Sequence, residues 1–145
     1  MDNRLVQELL LRFLARAQLP GGGLFGSLLD LLRLGAALLP ADGSSSGPRV
    51  LSQAAIDEMG RSQVDGLMHQ DQDGHSYEIR QSLGWRKPEP DWPGSERAMT
   101  HGGVSGGRIW VDPEAGFAFV FLANFWQAPL APAMEVLGAV YRARG

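Results

Sequence analysis

The residues best suited to chemistry are His101-Gly102-Gly103, at the start of the run HGGVSGGRIWVDPEAGFAFVFLAN, residues 101–124. An imidazole on a strand, followed by residues without side chains, leaves room for a substrate along the strand edge. Backbone N–H groups there can face a developing oxyanion. The same three residues also fit a plainer need, a hairpin turn that requires glycine for its dihedrals and happens to carry a histidine. Gly103-Val104-Ser105-Gly106-Gly107 spells the G-x-S-x-G string of a nucleophile elbow. That elbow needs its serine on a sharp turn from strand to helix. Here Arg108-Ile109-Trp110-Val111 follows, which is a strand pattern, so Ser105 stays only a residual candidate nucleophile.

Two further patterns carry less. Gly21-x-Gly23-x-x-Gly26 matches the dinucleotide string, but that fingerprint works only where a strand enters and a helix leaves. A helical pattern and Pro20 precede it here, so the plainer reading is a tight turn before a helix. His69 and His75 flank Asp71 and Asp73, a donor set that suits zinc or manganese. Their spacing matches neither a helical nor a finger pattern, and a solvated loop accounts for them. No cofactor and no metal are expected.

The elements that must position His101 follow from periodicity. Leu5, Val6, Leu9, Leu10 and Phe13 recur at helical spacing after Asp2 or Asn3, and Pro20 with three glycines ends that helix. A second helix spans about 27–39. Its leucines nearly surround it, so it is expected to be well buried, and Gly35 lets another element approach closely. Ser52 caps a short helix over 53–59. Asp71 to Gly74 is a turn, and short strands are expected within 76–85. Lys87 to Gly94, with three prolines, is expected as an exposed loop. Residues 97–101 lead as a strand into the hairpin, whose turn is Asp112 to Gly116. Phe117 to Leu122 has no polar residue, so it is expected as a central strand covered on both faces. A last helix runs over about 133–144, with Met134, Leu137, Val140 and Tyr141 on one face. The order predicts an α+β fold, an antiparallel β-sheet of three to four strands flanked by α-helices, in one domain over 1–145.

The composition is 44% hydrophobic and 20% charged, the balance of a globular chain. A net charge of −3 without a basic run argues against nucleic acid as a partner. With no cysteine, neither a disulfide framework nor a thiolate metal site is possible. The most apolar window, 24–39, holds Asp30 and Arg33 and is too short to span a bilayer. Arg4, Arg12 and Arg16 interrupt the N-terminal apolar run, so no signal peptide is read and a cytoplasmic location is expected.

The segments GGGLFGSLLDLLRLGAALL, RVLSQAAIDEM, LGWR and HGGVSGGRIWVDPEAGFAFVFLAN together resemble the C-terminal half of the serine β-lactamase and penicillin-binding-protein-like family. The nearest branch is the class C β-lactamase-related esterases and peptidases. The resemblance runs from Gly21 to the C-terminus, with 1–20 as an added N-terminal helix. It implies a partial β-lactamase/transpeptidase-like fold, in which His101-Gly102-Gly103 matches an H-x-G motif on a strand beside the active site. His101, Gly102, Gly103 and Val104 would then bind substrate. His101 would assist binding or proton transfer, and the Val104 N–H would be an oxyanion donor.

The sequence departs from that family at its nucleophile. S-x-x-K needs serine three residues before a lysine, and the only lysine, Lys87, has Gly84 there. Ser105-Gly-Gly-Arg108 offers an arginine, which stays protonated and cannot act as base. Y-x-N is absent too, since Tyr77 is followed two on by Ile79 and Tyr141 by Ala143. The expectation is a serine-hydrolase segment for acyl transfer on β-lactam, ester or peptide substrates, inactive alone. Its partner would be a complementary chain carrying S-x-x-K. The alternative is a non-catalytic binding or self-association module, a homo-oligomer. The first helix is expected to cover sheet or helix surface, and any apolar face left exposed would favour self-association.

Overall fold

The computed structural model describes residues 3–17, 26–40, 50–70, 73–125 and 128–144. In order these are α1 (Asn3–Ala17), α2 (Leu28–Ala37), α3 (Gln53–Gly60), β1 (Met68–Gln70), β2 (Ser76–Glu78), β3 (Met99–Gly102), β4 (Arg108–Asp112), β5 (Phe117–Phe121) and α4 (Ala131–Arg144). The fold is α+β, with an antiparallel hairpin β1-β2 and a three-stranded antiparallel sheet ordered β3-β4-β5. Among the described residues, no helix is long and apolar enough to cross a membrane.

β4 is the central strand, and its alternation builds two cores. Ile109 and Val111 face Leu38, Ile56, Trp85 and Met99. Trp110 faces the other way, toward Ala98, Phe117 and Leu137 of α4. Removing a fully buried aromatic or leucine from either core would cost about 2–5 kcal/mol.

β5 was expected at the centre but forms an edge of the described sheet. Its uninterrupted apolar run has another cause. Ala118 and Val120 pack in the core on the α2 side, while Phe117 and Phe119 pack against α4. Helices on both faces demand the same composition as strands on both sides.

α2 begins with a capping box. Ser27 Oγ accepts from the Asp30 N–H, and the Asp30 carboxylate accepts from the Ser27 N–H at 2.9 Å. Gly35 provides the expected close approach, since a Cβ there would lie 2.7 Å from Cβ of Ala118. Yet α2 is not well buried. Leu28, Leu29 and Leu34 are exposed and Leu31 and Leu32 are half-buried, while the side through Gly35 and Leu38 reaches the sheet. α3 is capped by Ser52, whose hydroxyl accepts from the Ala55 N–H, and it buries Ile56. α4 starts two residues earlier than expected, with Pro132 in its first turn, where proline lacks no needed donor.

Two other expectations fail. The 87–94 segment is not an exposed loop throughout: Lys87 is 4% exposed and Pro88 is buried. The expected cover by α1 is not seen among the described residues: Leu5, Val6, Leu9, Leu10, Leu11 and Phe13 all face solvent.

Candidate active site

Thr100 fixes how β3 presents its edges. Its N–H donates to Arg86 O and its C=O accepts from the Arg86 N–H, each at 2.9 Å, on the side away from β4. In an antiparallel ladder the backbone groups of neighbouring residues point to opposite sides. Met99 and His101 therefore turn theirs toward β4, with Val111 and Ile109 as pair partners. Gly102 turns its N–H and C=O outward, just past the Arg86 bridge. The strand edge expected to receive a substrate begins there.

His101 is exposed, on the face of β3 that also carries Met99. Among the described residues nothing hydrogen bonds its imidazole. Gly103 donates its N–H to Gly107 O at 2.8 Å, and Gly106 donates to Gly103 O at 3.0 Å, which closes the turn. The Val104 N–H has no hydrogen bond among the described residues, and Val104 is 53% exposed. An unbonded donor thus stands three residues beyond an exposed imidazole.

The glycines of this turn separate by cause. Gly106 has φ +75°, and a Cβ there would lie 2.5 Å from Cβ of Ala128, so conformation and packing both demand glycine. A Cβ at Gly102 would come within 2.9 Å of the Arg108 guanidinium. Gly103 has neither constraint, for its nearest neighbour would be Ser105 Oγ at 3.9 Å. The turn alone accounts for Gly106 but not for Gly103.

Ser105 is half-buried, and among the described residues its hydroxyl bonds neither His101 nor any other base. β4 follows it, so no elbow forms. His69 meets its cross-strand neighbour Tyr77 at a tilt, ring centroids 5.1 Å apart, on the exposed β1-β2 pair. Among the described residues no three His, Asp or Glu side chains are placed to share a metal. Asp71, Gly21 and Gly23 lie outside the described residues.

Three supporting residues went unread in the sequence. Arg108, opposite Gly102, donates to Thr100 Oγ1 at 3.0 Å and lies 5.1 Å over the Trp92 ring. Burial, with Arg86 nearby, lowers its pKa, and its Nε is buried without a partner among the described residues. Lys87 donates from Nζ to Gly60 O and to Ala98 O, both at 2.8 Å. It thereby caps the C-terminus of α3 and ties it to the residue before β3, next to the Arg86 bridge. Burial pushes the Lys87 ammonium below its usual pKa. It also borders a charged cleft of about 500 Å³, with Asp57, Arg61, Arg80, Glu96 and Arg97 in its wall; His101 is not part of that wall.

Asp112 is the third. Its carboxylate, wholly buried, accepts from Ser95 N–H at 2.9 Å, Ser95 Oγ at 2.7 Å, Tyr141 Oη at 2.6 Å, Glu114 N–H at 3.1 Å and Ala115 N–H at 2.9 Å. Trp110 Nε1 donates in turn to Tyr141 Oη at 2.9 Å. Burial pushes Asp112 up, but the bonds from Tyr141, Ala115 and Ser95 outweigh it and hold the carboxyl below its usual pKa. Burial, and then Asp112, raise the Tyr141 phenol.

A family model described as Beta-lactamase matches residues 2–141, taking in α1 as well as the sheet. No curated protein and no solved structure matches the chain.

Proposed function

The chain belongs to the beta-lactamase family, and on that premise we propose that it forms one wall of a serine-hydrolase pocket. The chemistry is acyl transfer on a β-lactam, ester or peptide. The outer edge of β3 at Gly102 takes the extended part of the substrate, and Gly103 leaves room for it. His101 binds substrate or moves a proton. The Val104 N–H faces the developing oxyanion, where one well-placed donor contributes about 3–4 kcal/mol to the transition state. The serine and lysine of S-x-x-K, absent from this sequence, come from a complementary chain or segment. What supports the reading is the Val104 N–H, unbonded among the described residues, three residues beyond an exposed imidazole and next to a glycine that the turn does not require.

Assays of the chain with nitrocefin and p-nitrophenyl esters test this. The expected result is no turnover. Turnover that vanishes in His101→Ala would overturn dependence on a second segment. Fluorophosphonate labelling mapped to Ser105 would make that residue the nucleophile instead. A second reading, a self-association module, is favoured by the uncovered apolar face of α1.

A further inference from the structure

Lys87 is the only lysine in the chain, and only 4% of it is exposed. A buried ammonium is ordinarily paired with a carboxylate, because its charge has lost the solvation of water. Among the described residues no carboxylate lies within ion-pair distance of this one. Its Nζ donates to Gly60 O and Ala98 O, both at 2.8 Å, and neither carbonyl carries a formal charge. An ammonium has three N–H groups, so one is left without an acceptor among the described residues. Lys87 borders the charged cleft of about 500 Å³.

Four cations and four carboxylates line that cleft, so its formal charge cancels, and hydrogen bonding decides which sign is left over. Asp57 accepts from Arg97 and from Gln53 Nε2, and Glu78 accepts from the Gly66 N–H at 3.0 Å. Arg61 is held by Glu58 and faces Asp65. Arg80 is different. Its side chain is 24% exposed, while its one ion-pair partner among the described residues, Glu96, is 91% exposed and 3.6 Å away, beyond hydrogen-bond reach. Arg80 and Lys87 are cross-strand neighbours. The Lys87 N–H donates to Arg80 O at 2.9 Å, one residue outside the Gln81–Arg86 bridge, so both side chains leave the same face. Like charges directly opposite each other repel. The unspent donors thus sit together in the wall, and the unspent carboxylates stand in solvent.

We propose that Lys87 and Arg80 form the head of a binding site for a small oxyanion, the carboxylate or phosphate group of a ligand held in this cleft. The third Lys87 N–H and the Arg80 guanidinium donate to it, as charge-assisted hydrogen bonds. The cleft has the volume of a small-molecule site, and its mixed charges suit a polar ligand. Burial lowers the Lys87 pKa; of the charges around it, Glu96 and Asp112 oppose that, and Arg80 and Arg97 add to it. An anion at the site pulls the ammonium back up. It also braces the entry to β3, because Lys87 ties the last residue of α3 to Ala98, the residue before that strand. His101 is not in the wall of the cleft, and the inference does not rest on the hydrolase reading.

The full chain, isotope-labelled at lysine Cε, gives a single lysine NMR signal, that of Lys87. Inorganic phosphate and, separately, acetate are titrated in, with ionic strength held constant by chloride. The signal should move along a saturable curve, and Tm should rise by roughly 3 °C near saturation. A response to either anion supports the site, and the stronger of the two names the head group. Arg80→Gln should weaken binding at least about tenfold. Glu96→Gln should leave Tm without anion unchanged and tighten binding, because it removes the acceptor that competes for Arg80. Should Arg80→Gln unfold the chain, the Glu96→Gln titration still decides. A lysine signal that moves no more with phosphate or acetate than with chloride, a response that never saturates, or binding unchanged in Arg80→Gln would each overturn the proposal. So would weaker binding in Glu96→Gln.

Discussion

The two ends of β4 treat polar groups in opposite ways. At the Asp112 end, one buried carboxylate accepts five hydrogen bonds and joins the β4-β5 turn, the Ser95 loop and α4. At the Arg108 end, the turn to β3 leaves the Val104 N–H unbonded among the described residues and the His101 imidazole exposed. A buried polar group left unpaired costs about 1–3 kcal/mol, so the first end must be saturated. An exposed group loses nothing by waiting for a ligand. The contrast separates what holds this sheet together from what the sheet holds out.

The strongest way to break the comparison is Asp112→Ala. It leaves the Tyr141 hydroxyl, Ser95 and two turn N–H groups without their acceptor at one stroke. We expect a loss of about 3–5 kcal/mol, seen as a fall of more than about 10 °C in Tm. A change under about 1 kcal/mol would mean that this end is no lock.

The same cluster sets the pH limits of stability. Asp112 titrates lower folded than unfolded, so its contribution is present above the unfolded value of about 4 and fades as pH falls through the folded one. Tyr141 titrates higher folded than unfolded, so its contribution is full below about 10 and fades as pH rises beyond it. Urea midpoints measured against pH should show both limbs. Tyr141→Phe should flatten the alkaline one, and Asp112→Asn the acid one, at lower overall stability.

Much of this architecture was legible in the sequence. Ser27 with Asp30, Ser52, and the turn residues around Gly116 act through near neighbours, so a linear reading finds them. Gly35 was legible because a glycine amid leucines has few other purposes. β5 was misplaced because an apolar run reports covered faces and does not say whether strands or helices cover them. Lys87 and Asp112 were missed because their partners are remote. Gly60 lies 27 residues from Lys87, and Tyr141 lies 29 from Asp112. A lone lysine among prolines and an aspartate in a turn look like surface residues until those partners are placed. His101 to Gly103 were singled out by residue type and Val104 by resemblance, and the fold adds a distinction among the glycines that the string HGGVSGG does not contain.

That distinction sharpens the comparison at a smaller scale. Gly106→Ala should cost about 1–3 kcal/mol, from a left-handed φ and the contact with Ala128. Gly103→Ala should cost less than about 0.5 kcal/mol, since nothing but Ser105 Oγ lies near. Paired urea titrations decide it. If Gly103→Ala is the more costly, its glycine serves the turn and not the pocket.

His101→Ala carries the smallest expected effect. Its imidazole is exposed and makes no hydrogen bond among the described residues, so removing it should shift stability by no more than about 0.5 kcal/mol. A larger loss in the same titration would show the imidazole serving the fold and collapse the contrast with Asp112. Silence in stability is what a group kept for an incoming substrate must show. The chemistry of such a group becomes measurable only once an S-x-x-K segment is added. There, His101→Ala should lower ester turnover while leaving the melting curve in place.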